Sequence, residues 1–355
     1  MRRSAPETKA DMPARSSASA SASVPLRLNL ALQGGGAHGA FTWGALDCLL
    51  EQDDIEIGHV SGTSAGAING AALLCGLRAG GREEAKARLA LLWRKVAEAG
   101  VGFTTALLPL RKPWMGTWDD ALPLLSPYQA NPLALAPLRY ALEAVTDAAG
   151  LRSGGEGEPA LFVNAVDVRS GRTRVFGPED LSIDAIMASA CAPFMFQAQP
   201  VDGNDYWDGS YAGNPMLWPL YRDRLDADIL MIELTPLVRP EMPVSAKNIL
   251  NRINEIASIN GLVSELRALD LVNRRVPGAD LRLHVLSMPD EGSALEIEPS
   301  VKRTVSMLLF ESLRRSGHEA CSAWLQANRG ALGHRSSVDL EARYLAPYGP
   351  PPAGS

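Results

Sequence analysis

The sequence predicts an α/β protein built on a mostly parallel sheet. Two observations carry this reading. A strand-type run, a glycine-rich loop and a helix-type run follow one another twice near the start of the chain, and both loops fall where parallel strands would end. Later, Asp228–Leu234 and Leu281–Leu286 have the continuous apolar character of strands buried on both faces.

Taken in order, Leu26–Leu32 alternates as a strand and runs into Gly34-Gly35-Gly36-Ala37-His38-Gly39. Ala40–Glu51 reads as a helix, with Phe41, Ala45, Leu46 and Leu49 at helical spacing. Ile55–Val60 is a short strand ending at Gly62-Thr63-Ser64-Ala65-Gly66, and Ala67–Leu77 is the helix after it. Glu83–Glu98 is a further helix. Residues 100–137 are apolar and proline-interrupted, which fits either a flap over a site or packed irregular structure. Ala160–Val168 and Arg174–Phe176 form a hairpin across Arg169-Ser170-Gly171, and Ser182–Ala190 is a short helix. Ala246–Arg274 is a long amphipathic helix. Its stripe of Ile249, Ile253, Ile256, Ile259, Leu262, Leu266 and Leu269 is expected in the core. Pro299–Asn328 is helical with an interruption expected near Gly317, and residues 335–355 read as a Pro-rich tail.

Bulk composition narrows the function classes. The 355 residues are 46% hydrophobic, enough for a substantial core, and the net charge of −6 argues against a nucleic-acid binder. Residues 1–24 are a low-complexity Ser/Ala-rich tail. No secretion-type apolar region follows Arg2 and Arg3, and no apolar run is long enough for a transmembrane helix. Cys48, Cys75, Cys191 and Cys321 lack metal-ligand or CxxC spacing, which points to a reducing compartment and a cytoplasmic location.

Gly62-Thr63-Ser64-Ala65-Gly66 fits the nucleophile-elbow pattern, which places a serine on a tight turn between strand and helix. A serine hydroxyl needs a base within reach, and the oxyanion formed on attack needs fixed N–H donors. Ser64 would stand at a helix N-terminus, and the Gly34–Gly36 loop is free to present backbone N–H groups. The same loop also fits Gly34-x-Gly36-x-x-Gly39 of a dinucleotide site, but Asp53, Asp54 and Glu56 lie before or within the second strand rather than at its end. None of the five histidines has a flanking motif that marks it as a base. Asp208, in Trp207-Asp208-Gly209-Ser210-Tyr211, is the better candidate, although an Asp-Gly turn closing a hairpin fits the same residues.

Together, Gly34-Gly35-Gly36-Ala37-His38-Gly39, Gly62-Thr63-Ser64-Ala65-Gly66 and Asp208-Gly209-Ser210 resemble, in order, the three motifs of patatin-like phospholipases. Asn164-Ala165-Val166-Asp167-Val168 and Ala188-Ser189-Ala190-Cys191-Ala192-Pro193 resemble supporting segments of that family, over roughly residues 26–240. The resemblance implies a three-layer α/β/α fold with a mostly parallel central sheet. It divides the chain into a catalytic domain (25–240) and a helical C-terminal extension (241–334) that carries a strand near 281–286. It implies a Ser64 nucleophile, an Asp208 base, oxyanion N–H groups from Gly34, Gly35, Gly36 and Ala65, and motif support from Gly39, Gly62, Gly66 and Gly209. It also implies a lipid or acyl-ester substrate, peripheral membrane contact, and no cofactor or metal. Two residues depart from the family pattern: His38 stands where many members carry Lys or Arg, and Ser210 where they carry Gly or Ala. A non-catalytic lipid-binding or regulatory member of the same fold is the alternative.

Overall fold

In the computed structural model, the described residues are 25–107, 126–130, 135–152, 157–193, 195–239, 242–289 and 306–346. An eight-stranded mixed sheet forms the centre, in the order β5-β6-β3-β2-β1-β7-β8 with β4 beside β3. These strands are β1 (Leu26–Leu32), β2 (Ile55–Gly62), β3 (Leu161–Asp167), β4 (Thr173–Phe176), β5 (Gln199–Val201), β6 (Asn204–Asp208), β7 (Asp228–Glu233) and β8 (Arg282–Ser287). The β3–β2–β1–β7–β8 run is parallel, whereas β4, β6 and β5 extend it antiparallel.

The period-two pattern of β1 explains the layering. Leu28, Leu30 and Leu32 are fully buried on one face, in a core shared with α1 (Gly39–Leu50), α2 (Ala65–Leu107) and α5 (Met307–Asn328). Ala31 faces the other way, against Ile229 and Met231 of β7 and Leu262, Leu266 and Leu269 of α4 (Ala246–Arg275). Helices therefore cover both faces of a mostly parallel sheet, and β8 brings the C-terminal region into that sheet at its edge. The four cysteines are free and buried. Among the described residues, no helix is long and apolar enough to cross a membrane.

Several expectations are corrected. α5 is unbroken at Gly317. A Cβ there would lie 2.0 Å from the Phe41 carbonyl oxygen, and one on Gly44 would lie 1.8 Å from the Arg314 carbonyl oxygen. The two glycines thus let α1 and α5 cross backbone to backbone, which is a packing role rather than a helix stop. The α4 stripe is split. Leu262, Leu266 and Leu269 are in the core, but Ile249, Ile253 and Ile256 are exposed at 44%, 55% and 45%. The inner face of that half carries Glu255 instead, held by Arg239 at 2.7 Å and Arg252 at 3.3 Å. Residues 335–346, read as tail, are ordered, with Tyr344 buried and donating to Glu233 Oε1 at 2.9 Å. By contrast, the two helices expected at 67–77 and 83–98 are both present within α2, separated by the non-helical Gly80 and Gly81, where Gly81 has φ 74°. Most of the 100–137 segment lies outside the described residues.

The strand order positions the site. β2 ends at Gly62, opposite Val163 of β3, and Ala165 of β3 pairs with Asp208 at the end of β6. Only β3 separates the strand ends that carry Ser64 and Asp208.

Candidate active site

Ser64 stands between the end of β2 and the start of α2, with φ 53°. That left-handed conformation is uncommon for a residue with a Cβ, and holding it costs about 1–3 kcal/mol. The neighbours that fix it are visible. The Ser64 N–H donates to Ser189 Oγ at 2.9 Å, and the Thr63 hydroxyl donates to Asn164 Oδ1 at 2.6 Å. A Cβ on Gly66 would lie 2.1 Å from the Leu32 carbonyl oxygen, so the elbow closes against β1 only with glycine there. Gly62 approaches the Gly66 backbone in the same turn.

The glycine loop crosses directly over this turn. A Cβ on Gly34 would lie 2.7 Å from Ser64 Cβ and 2.8 Å from the Thr63 carbonyl oxygen. Asn214, buried, holds the loop down: its Oδ1 accepts from the Gly34 N–H at 2.6 Å and its Nδ2 donates to the Gly34 carbonyl at 3.2 Å. Gln33 donates to the Asn214 carbonyl at 3.0 Å. The Gly34 N–H is therefore already engaged. Gly35 and Gly36 follow with no hydrogen bond to their N–H groups among the described residues. Ala65 begins α2, where first-turn N–H groups lack an intrahelical acceptor. Asn69 ties the two loops together, donating to the carbonyls of Gly39 (2.9 Å) and Ala65 (3.1 Å) while its Oδ1 accepts from Trp93 Nε1 at 3.0 Å.

Asp208 ends β6 at 5% exposure. Its N–H donates to the Cys191 carbonyl at 2.9 Å, and its Oδ1 accepts from the Ser210 N–H at 2.9 Å. The Ser64 side chain stands close enough to its carboxylate to favour the ionised form. Burial pushes its pKa up from 3.8 to about 6, although the Ser210 N–H and the Ser64 and Ser210 hydroxyls work against that rise. The negative charge in turn adds to burial in pushing the Tyr211 phenol up to about 12. Gly209 lets the strand end touch β3, since a Cβ would lie 2.2 Å from the Asn164 carbonyl oxygen. Asn164 Nδ2 donates to the carbonyls of Gly209 (3.0 Å) and Gly213 (2.9 Å).

The sequence-predicted residues thus converge. Ser64, Asp208 and the Gly34–Gly36 loop meet at the carboxyl ends of β1, β2 and β6, and Gly39, Gly62, Gly66 and Gly209 make the close approaches that allow it. Ser210 donates its N–H to Asp208 Oδ1. His38 is buried in the turn after the loop. His284 is fully buried at the far edge of the sheet with its Nε2 2.9 Å from Asp228 Oδ1, and His318 meets Glu51 at 3.0 Å. Neither is in contact with Ser64. Sequence reasoning assigned no role to Asn69 or Asn214, and placed Asn164 and Ser189 only within segments that resemble the family. Their partners lie up to 180 positions away, and no local spacing announces them.

A buried carboxylate beside an elbow serine beneath a glycine loop is the arrangement the three motifs imply. The chain is similar in fold to VipD from Legionella pneumophila, at 13% identity and TM-score 0.41, over 90% of this chain and 73% of that one. It is similar to the heterodimeric complex ExoU-SpcU from the type III secretion system of Pseudomonas aeruginosa, at 19% identity and TM-score 0.31, over 85% of this chain and 52% of that one. It is also similar to human GIVD cytosolic phospholipase A2, at 16% identity and TM-score 0.35, over 88% of this chain and 59% of that one. It therefore spans little more than half the length of the latter two. No curated protein matches it. The family model described as patatin-like phospholipase matches residues 30–221, more than half of the chain and all three motifs, and the chain belongs to the patatin-like phospholipase family.

Proposed function

We propose that this protein is a serine acyl-ester hydrolase of the phospholipase A or lysophospholipase type, with Ser64 as nucleophile and Asp208 as its base. The carrying observation is that the strand ends bring the Ser64 side chain beside a buried Asp208 carboxylate, near enough to favour its ionised form. In the reading that this supports, Ser64 Oγ attacks the ester carbonyl while its proton passes to Asp208. The oxyanion is met by the N–H groups of Gly35, Gly36 and Ala65. Gly34 shapes the loop instead, because its own N–H is held by Asn214. Collapse of the tetrahedral species breaks the bond to the alcohol, which takes the proton from Asp208. Water, deprotonated by Asp208, then attacks the acyl-serine and releases the fatty acid.

A pKa of about 6 suits both halves of this cycle, since Asp208 is ionised at neutral pH yet still basic enough to take a proton. A lipid substrate calls for peripheral contact with its surface, and the outward face of α4 suits it. Gly261 of α4 packs on Ala212 and Gly213, just after the Asp208 turn, and exposed Ile253 and Ile256 lie one to two turns before it. Met242 and Val244, in the segment just before α4, are also exposed.

The test is release of fatty acid from phospholipid, lysophospholipid and short p-nitrophenyl esters by the wild type and by Ser64→Ala. Hydrolysis of at least one class by the wild type alone supports the proposal. Equal turnover by both proteins refutes it.

A further inference from the structure

The end of the sheet opposite Ser64 carries a groove of about 1370 Å³ that the reaction above does not use. Its floor is one face of the strands, formed by Arg27 of β1, His59 of β2, Phe162 of β3 and Val175 of β4, with Trp218 and Arg222 on its wall. At about 3.3 Å per strand residue, Arg27 lies roughly 20 Å from the glycine loop.

Arg27 is placed with care and left incomplete. The β1–β2 register shifts between Leu28 and Leu30, and Gly58 sits opposite this irregularity. A Cβ at Gly58 would lie 3.2 Å from Arg27 Nε and 2.2 Å from Asn29 Oδ1, so a bare backbone there makes room for the guanidinium to lie across β2. Its Nη2 is buried and has no hydrogen-bond partner among the described residues. A guanidinium nitrogen held out of water without an acceptor is costly.

Two further donors stand beside it. His59 Nδ1 accepts from the Ala160 N–H at 3.1 Å, so the neutral ring carries its proton on Nε2. Burial and the Arg27 charge hold His59 below its usual range, with Arg222 adding to the effect and Asp223 opposing it. The Arg222 guanidinium lies 5.3 Å from the Phe162 ring centroid. Of the six carboxylates that line the groove, four are paired with arginines, Asp223 with Arg222, Asp226 with Arg224, Asp228 with Arg282 and Asp180 with Arg174, and Glu158 and Glu179 complete the set.

We propose that this groove binds an organic oxyanion, its phosphate or carboxylate head held by Arg27 and the His59 Nε2–H and its body lying against Phe162 and Trp218. A guanidinium fork matches either head group, and the exposed face of Trp218 gives an apolar body something to cover. The site stands apart from the proposed hydrolase centre and does not depend on it.

The test is calorimetric titration of the full chain with inorganic phosphate and, separately, with sodium octanoate below its micellar concentration. Saturable binding of either supports the proposal. Phosphate binding as tightly as octanoate identifies a small free oxyanion as the ligand, and tighter octanoate identifies an amphipathic one. Arg27→Met is expected to weaken the binding at least about tenfold and to leave ester hydrolysis within about twofold of wild type, whereas Ser64→Ala binds normally. Arg27→Lys, which keeps the charge without the fork, is expected to fall between. Failure of the wild type to bind either probe overturns the proposal whatever the variants do. So does binding that is unchanged in a folded Arg27→Met protein.

Discussion

The Ser64 side chain stands beside Asp208, a carboxylate that is 5% exposed and whose pKa burial raises to about 6. The base and the nucleophile come from strand ends separated only by β3, so their contact is set by the sheet rather than by flexible loops.

A first prediction concerns pH. Asp208 must be ionised to accept the serine proton, so kcat/KM for a soluble ester is expected to fall about tenfold per pH unit below about pH 6. Stability moves the other way. Folded Asp208 holds its proton up to about pH 6, whereas the unfolded chain releases it near 3.8. Between those values the folded state binds more proton, and this group's contribution to stability declines as pH rises, by on the order of 2–3 kcal/mol. Asp208→Asn is therefore expected to be inactive yet to melt no lower than wild type at pH 7.5, as measured by calorimetry.

Asn214 positions the glycine loop without touching the reacting atoms. Removing its side chain in Asn214→Ala leaves the Gly34 N–H and C=O without their buried partners, at about 1–3 kcal/mol. The expected kinetic result is a kcat lowered by about 10- to 100-fold with KM little changed, because a displaced loop misplaces donors that matter most in the transition state. Steady-state kinetics beside a thermal melt separates the two effects.

Helix crossing gives a prediction remote from the site. Gly317→Ala drives a methyl group into the Phe41 carbonyl, so α1 and α5 must separate. The expected cost is about 1–3 kcal/mol of stability in a denaturant titration, even though alanine favours an isolated helix.

The exposed isoleucines of α4 supply a test of lipid contact. Ile253, 55% exposed, makes little contribution to the core. Ile253→Glu is expected to leave hydrolysis of a soluble ester within about twofold of wild type and to lower hydrolysis of phospholipid vesicles by about tenfold.

Much of this architecture is legible in the sequence where one residue type does one distinctive job. Gly34, Gly62, Ser64, Gly66 and Asp208 can be read because tight turns, a nucleophile and a base each restrict chemistry locally. The strands of the parallel half can be read because β1 alternates and the later strands at 228–234 and 281–286 are continuous apolar runs. β5 and β6 escaped that pattern, being short, polar at their edges and partly exposed. Asn164, Ser189 and Asn214 escaped it for another reason. Their function is to satisfy backbone groups far away in sequence, and an isolated Asn or Ser carries no trace of that partner. The split of the α4 stripe depends on helix length against sheet depth, and Gly317 on what lies across from it. Neither quantity is written in local spacing.

The most direct measurement is mass-spectrometric mapping of a fluorophosphonate adduct on the wild type, Ser64→Ala and Asp208→Asn. The dyad account predicts a single adduct on Ser64 in the wild type, none in Ser64→Ala, and labelling slowed by at least about a hundredfold in a folded Asp208→Asn protein. An adduct on another residue, or Asp208→Asn labelling at the wild-type rate, would contradict it.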